Sequence, residues 1–182
     1  KYYKNQKSKL IPFFEKFKPY KNRKGVLIAL GTSDYKDTVL IKKALIKYFK
    51  KQYIKNIKFY IDPKIFDNDF KKMGFVKADF SKKMYKEIKF AIIKPGLGTI
   101  EECLKRGIII ISYTKNTYSE FFHNSKILIK NKLGYNFQTI EKSLNFIVKN
   151  LNNIKLVKRH ENNCKNLKWE GEKKVQKYLL KN

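Results

Sequence analysis

The sequence predicts a single α/β domain, one parallel sheet covered by helices on both faces. Three observations predict it. Short, continuous apolar runs at Val26–Leu30, Phe90–Ile93 and Ile108–Ile111 have the look of strands buried on both sides. Between such runs, apolar residues return at helical spacing. The length, 182 residues, is enough to bury a core without staples and is ordinary for one domain.

Taken in order, residues 1–24 form a Lys-rich lead, or interdomain segment, and residues 25–182 the domain. The strand Val26–Leu30 ends at Gly31, Thr32 and Ser33, a turn of small residues. From about Asp37 to Tyr53, the positions Leu40, Ile41, Ala44, Leu45, Tyr48 and Phe49 mark a helix. Ile57–Ile61 is the next strand, stopped by Asp62 and Pro63. A short strand is expected around Phe75 and Val76, then a helix from Ser81 to about Ile88. After the strand Phe90–Ile93 comes a loop containing Pro95, Gly96 and Gly98, and Thr99 is expected to cap a short helix to Arg106. Gly107 stops it, and Ile108–Ile111 is β-branched throughout. Helices are expected over Glu120–Lys132, with Gly134 near its C-cap, and over Thr139–Lys149. The Asn-rich stretch Asn150–Asn166 reads as a connection, and Trp169–Leu180 as a last helix. Alternating strands and helices in this order fit a Rossmann-type domain.

Composition narrows the functional classes. Lysine and arginine number 43 against 15 acidic residues, a formal net charge of +28. That charge suits an anionic partner (nucleic acid, an acidic membrane surface or a phosphorylated small molecule) without choosing among them. An AT-rich genome would impose the same Lys, Asn, Ile, Tyr and Phe bias on any protein. Two cysteines, Cys103 and Cys164, are too few for a disulfide scaffold and suit a reducing, cytoplasmic compartment. No Cys and His cluster resembles a metal site, and no apolar run is long enough to span a bilayer. The first residue is Lys1 rather than Met, as in a trimmed chain or a piece of a longer polypeptide.

The chemistry concentrates at strand ends. From Phe90 to Glu102 a buried strand runs through a glycine-containing loop directly into a helix, which exposes the amides of Leu97, Gly98 and Thr99 at a positive helix end. Gly96 and Gly98 permit a close backbone approach, and the Thr99 hydroxyl can either donate to a phosphate or cap the helix. Glu101 and Glu102 fall in the first turns, where one can accept ribose hydroxyls or both can simply be solvated. Gly31, Thr32 and Ser33 have the same strand-to-turn setting, so both loops are expected at the carboxyl edge of one sheet. A third candidate runs from Tyr118 to Asn124: Glu120 can bind sugar hydroxyls, and Asn124 can contact ligand or tie the loop down. Nothing nearby orients His123 as a base, and His160 is given no role.

The run Lys94–Glu102, followed by Cys103–Ile111, resembles the C-terminal, nucleotide-sugar-binding half of GT-B glycosyltransferases, most of all glycosyltransferase family 28 and the peptidoglycan lipid-intermediate N-acetylglucosaminyltransferase group. It covers roughly Gly25 to Ile147 and the last helix. Ile109 stands where the family has proline, one extra residue separates Glu120 from Asn124, and Ser125 replaces an alanine. The resemblance implies a Rossmann-like half of a GT-B fold with no cofactor or metal, taking a nucleoside-diphosphate sugar, with a UDP-sugar the expected donor. By position, Gly31, Thr32 and Ser33 then face the phosphates, and the backbone of Phe75 and Val76 reads the base. Gly96, Leu97, Gly98 and Thr99 receive the diphosphate, Glu102 holds the ribose, and Glu120 and Asn124 lie around the sugar.

An acceptor-binding domain, with the catalytic base, is absent from these residues. A fragment, a degenerate protein, or one subunit beside a separate acceptor-binding or membrane-anchored subunit all fit. The last resembles the two-subunit enzyme that adds the second N-acetylglucosamine to a dolichol-linked sugar, and the Lys-rich lead can then touch that subunit or the cytoplasmic face of an anionic membrane. Two rival readings are a UDP-sugar hydrolase or epimerase, and a basic nucleic-acid-binding module. For the latter, the alternation of Phe14, Phe17 and Tyr20 with lysines has no accompanying nucleic-acid motif, so specific nucleic-acid binding is not expected.

Overall fold

A computed structural model describes residues 17–31, 35–52, 54, 56–114 and 119–167. Thr32, Ser33, Tyr118, the start of the basic lead and the expected helix Trp169–Leu180 lie outside them. In chain order the elements are β1 (Gly25–Ala29), α1 (Tyr35–Lys51), β2 (Phe59–Ile61), α2 (Asn68–Lys72), β3 (Val76–Lys77), α3 (Lys82–Glu87), β4 (Ile88–Ile93), α4 (Leu97–Leu104), β5 (Ile109–Tyr113), α5 (Ser119–Lys130), β6 (Gly134–Phe137), α6 (Ile140–Asn150) and α7 (Ile154–Lys165).

The six strands make one sheet in the order β3-β2-β1-β4-β5-β6, and every pairing is parallel. The reason lies in the apolar runs. Successive strand residues point to opposite faces, so a strand with no polar position needs cover on both. Val26 and Ile28 join Phe90, Ile92, Ile109 and Ile111 in one core beneath α1 and α6. Leu27, Ala91, Ile93 and Ile110 enter the other, with Ile100, Cys103 and Leu104 of α4 and Leu128 of α5. The strand order reverses between β1 and β4, where chain that leaves β1 turns one way and chain that leaves β4 the other. A crevice opens there at the carboxyl edge of such sheets.

Several elements differ from the sequence expectation. Gly134 does not end α5. The left-handed residue there is Lys132 (φ 56°), and the Leu133 amide closes the helix end on the Leu128 carbonyl at 2.8 Å. Gly134 instead starts the edge strand β6, where an added Cβ would stand 2.9 Å from the Ile110 carbonyl oxygen. The Asn-rich connection is largely a helix, α7, capped by Asn153, whose side chain accepts from the Leu156 amide at 2.9 Å. Its buried stripe is Leu156, His160 and Cys164, spaced one turn apart. Part of the basic lead also packs on the domain. Phe17 lies against the α4 core, and buried Arg23 donates to the Arg106 carbonyl and to Glu161, each at 2.8 Å.

Buried His160 has one ring nitrogen 3.0 Å from the Ile108 carbonyl. Burial lowers its pKa to about 4, with the Arg23 charge adding to the fall and the Ile108 carbonyl opposing it. A histidine held neutral in the fold contributes fully above its unfolded value of about 6.5, and the contribution drains as pH falls toward 4. The expected loss is about 3 kcal/mol across that window. Urea midpoints at pH 7 and pH 4.5 should therefore fall further in the natural protein than in His160→Gln, which carries no titrating ring.

Candidate functional site

Because β1 and β4 are adjacent and parallel, their loops leave the sheet side by side: Ala29 pairs with Ile93, and the Lys94 amide reaches the Ala29 carbonyl. The two glycine loops thus share one edge at the point of reversal. From β4 the chain passes through Lys94 and Pro95 to Gly96, whose extended backbone (φ −74°, ψ 146°) caps α4 without any side-chain hydrogen bond. Helix α4 begins at Leu97, two residues before Thr99, so Thr99 occupies the first turn and is not the cap. The amides of Leu97, Gly98 and Thr99 belong to the leading turn, whose donors point out of the helix. Leu97 itself is 68 % exposed.

Gly98 is the most telling residue here. Its φ is not in the left-handed region, and a Cβ built on it meets nothing within 4 Å. Neither backbone conformation nor packing among the described residues demands glycine, although glycine weakens a helix relative to alanine. The open space over the helix end is what a side chain would take away.

Lys94 directly follows β4, its side chain 12 % exposed and its Nζ 3.6 Å from Asp37 Oδ2 in the first turn of α1. One cation thus spans the junction between the chain leaving β1 and the chain leaving β4. It belongs to the quoted motif, yet no role is read for it from sequence. A charged residue directly after the wholly apolar Phe90–Ile93 run is the signal that marks it.

Asn124 is buried in α5 and donates to the Pro95 carbonyl at 2.8 Å, which ties down the loop ahead of α4. Phe121 lies over Gly96, within 3.7 Å of a built Cβ. Glu120 is exposed at the start of the same helix, and His123 is exposed. Ser125, standing where an alanine was expected, shares a buried 2.7 Å hydrogen bond with Ser112 of β5.

Two expected site positions have partners within the protein. The Gly31 amide donates to Asp62 Oδ2 at 3.0 Å, and a Cβ at Gly31 would come within 2.4 Å of that carboxylate. Gly31 is therefore a close-packed turn residue with its donor already engaged, and Asp62, read from sequence only as a strand stop, is its partner. Phe75 and Val76 lie just before and at the start of β3. Phe75 packs among Phe49, Phe59 and Phe70, its amide donates to the Phe70 carbonyl at 3.0 Å, and β3 is the outermost strand, two removed from β1.

Glu102 is 36 % exposed and carries two cations of its own helix end, Lys105 on Oε1 and Arg106 on Oε2, the latter at 2.6 Å. Arg106 also lies over the Tyr85 ring, 4.7 Å from its centre. A carboxylate has about four acceptor positions, so two remain for hydroxyl groups. Among the described residues no group of three or more His, Cys, Asp or Glu is placed to hold a metal ion, and no helix is long and apolar enough to cross a membrane.

No protein-family model and no curated protein matches the sequence. Solved structures do match by shape. The glycotransferase of kitacinnamycin superposes with a TM-score of 0.62 at 10% identity, over 92% of this chain and 44% of its own. The Streptomyces sp. SF2575 glycosyltransferase SsfS6, solved with thymidine diphosphate, gives 0.58 at 11% identity, over 91% and 43%. The C-terminal domain of a glycosyl transferase group 1 family protein (LpcC) from Francisella tularensis gives 0.52 at 16% identity, over 82% and 92%. The chain spans less than half of the first two proteins and most of an isolated C-terminal domain. At such identities the likeness is one of fold: the chain has the Rossmann-like architecture of one half of a GT-B glycosyltransferase.

Proposed function

We propose that this chain is the donor-binding half of a glycosyltransferase that takes a nucleoside-diphosphate sugar, with a UDP-sugar the expected donor. The observation that carries the reading is the adjacency of the β1 and β4 loops at the reversal of strand order, where α4 begins at Leu97, no atom stands within 4 Å of a Cβ built on Gly98, and Lys94 follows β4 beside Asp37. A diphosphate leaving group gains negative charge as its bond to the sugar breaks, and fixed N–H donors at a helix start and one cation stabilise that charge. An ammonium carries three donors, and the Asp37 carboxylate lies 3.6 Å away, beyond hydrogen-bond range. Glu102 accepts the ribose hydroxyls while Lys105 and Arg106 hold its carboxylate in place. Asn124 fixes the Pro95 loop under the phosphates, and Glu120 meets the transferred sugar. The acceptor site and base come from a second domain or subunit. That the chain covers only part of the larger glycosyltransferases supports this, and the run Lys94–Glu102 favours a relationship to family 28.

Calorimetry at physiological salt tests the reading. UDP should bind saturably and more tightly than ADP or GDP, and a short single-stranded nucleic acid should not compete. Equal binding of all three nucleotides would remove the uridine assignment; no binding of any would remove the donor site.

A further inference from the structure

A cavity lies at the opposite edge of the sheet, where the strands begin. About 620 Å³ in volume, it is lined by Asn22, Arg23 and Lys24 ahead of β1, Asn56 and Ile57 ahead of β2, Lys89 at the start of β4, and Leu151 and Asn152 after α6. Three of these eight residues are cationic and none is acidic. The nearby carboxylate, Glu161, is engaged by Arg23 at 2.8 Å. Lys89 is half-buried, donates to the Leu151 carbonyl, and has its pKa lowered by burial and by the neighbouring Arg23 charge. Arg23 thus has Glu161 as its partner, while Lys24 and Lys89 have no carboxylate among the lining residues. Such an arrangement costs electrostatic free energy that a bound anion would relieve. Asn22 and Asn56 both take left-handed backbone (φ 56° and 65°), uncommon for residues other than glycine. A cavity of this size suits a small molecule.

We propose that this cavity is a binding site for a small phosphate ester, separate from the crevice between β1 and β4. Lys24 and Lys89 take the phosphate, the asparagine amides bond its hydroxyls, and Ile57 and Leu151 cover its carbon face. The phosphate can belong to a soluble ester or to a lipid headgroup.

Amide NMR of the whole chain resolves the site. Pyrophosphate, titrated at physiological salt, should shift the Asn22, Lys24, Ile57 and Lys89 resonances saturably. Lys24→Gln and Lys89→Gln should each weaken that response by about tenfold, the usual scale for losing a charge-assisted hydrogen bond. Lys130→Gln, the same charge change at the end of α5 and outside the cavity lining, should leave it intact. Lys24 is exposed, so its variant is read without a folding penalty. Flotation with vesicles of phosphatidylglycerol in phosphatidylcholine separates the sources. Binding lost in both variants but kept in Lys130→Gln assigns a headgroup, and pyrophosphate shifts without flotation assign a soluble ester. Absence of both responses, or equal losses in all three variants, would overturn the site.

Discussion

Gly98→Ala should make the protein slightly more stable and a much poorer binder of UDP. Alanine exceeds glycine in helix propensity by up to about 1 kcal/mol, and less is expected at a first turn, so a gain of roughly 0.5 kcal/mol in urea unfolding is the expected size. The built Cβ meets no atom of the described chain, so no packing cost opposes it. A helical Cβ tilts toward the N-terminus, into the space from which the amides of Leu97, Gly98 and Thr99 would meet a phosphate. Crowding of that kind costs about 1–3 kcal/mol, or roughly fivefold to 150-fold in affinity. A purely structural turn would show the first effect without the second. Unchanged UDP affinity in a stabilised Gly98→Ala protein would therefore identify α4 as a structural helix only.

Glu102→Ala should be costly to the fold as well as to binding. Lys105 and Arg106 have side chains only 5% and 11% exposed, and Glu102 is the carboxylate facing both. Arg106 Nε already lacks a hydrogen-bond partner in its buried position. Removing the carboxylate leaves two nearly buried cations without it, which for fully buried pairs costs about 3–5 kcal/mol. Because Glu102 is itself partly exposed, about 2 kcal/mol is expected. Glu102→Gln, which keeps an acceptor and the packing, should recover part of that stability but little of the UDP affinity. Glu101→Ala should disturb both less. If Glu102→Gln instead binds UDP as the natural protein does, Glu102 serves only the end of its helix.

Legibility followed the type of residue that performs each task. The strands were readable because isoleucine, valine and phenylalanine do there what they do everywhere, and the continuous runs demanded two covered faces. From those runs came the single parallel sheet and the neighbouring loops of β1 and β4. Elements built from atypical residues were hidden. In α7 a histidine and a cysteine stand where apolar residues would mark a helix, and its asparagine cap sits in a run of asparagines. At the end of α5 a lysine takes the left-handed position and leaves the glycine for β6. Helix α2 buries one residue, Phe70, and its marker is the Asp67 cap.

The site was legible as a motif and less so as individual contacts. Residues Phe90 to Glu102 announced a strand, a loop and a helix start, and the structure forms them in that order. What the linear order could not show was which donors the protein uses for itself. Asp62 is 31 positions from Gly31 and takes its amide; Asn124 is 29 positions from Pro95 and takes its carbonyl. The aromatic cluster that holds Phe75 likewise joins residues from α1, β2 and α2. Each is a long-range contact, invisible to local spacing.

A crystal structure of the chain soaked with UDP bears most directly on the proposed grip at the sheet reversal. The diphosphate oxygens should lie about 2.7–3.2 Å from the Leu97, Gly98 and Thr99 amides, with Lys94 Nζ turned onto the phosphate. Density for the nucleotide at another place on the surface, while those amides face only solvent, would contradict it.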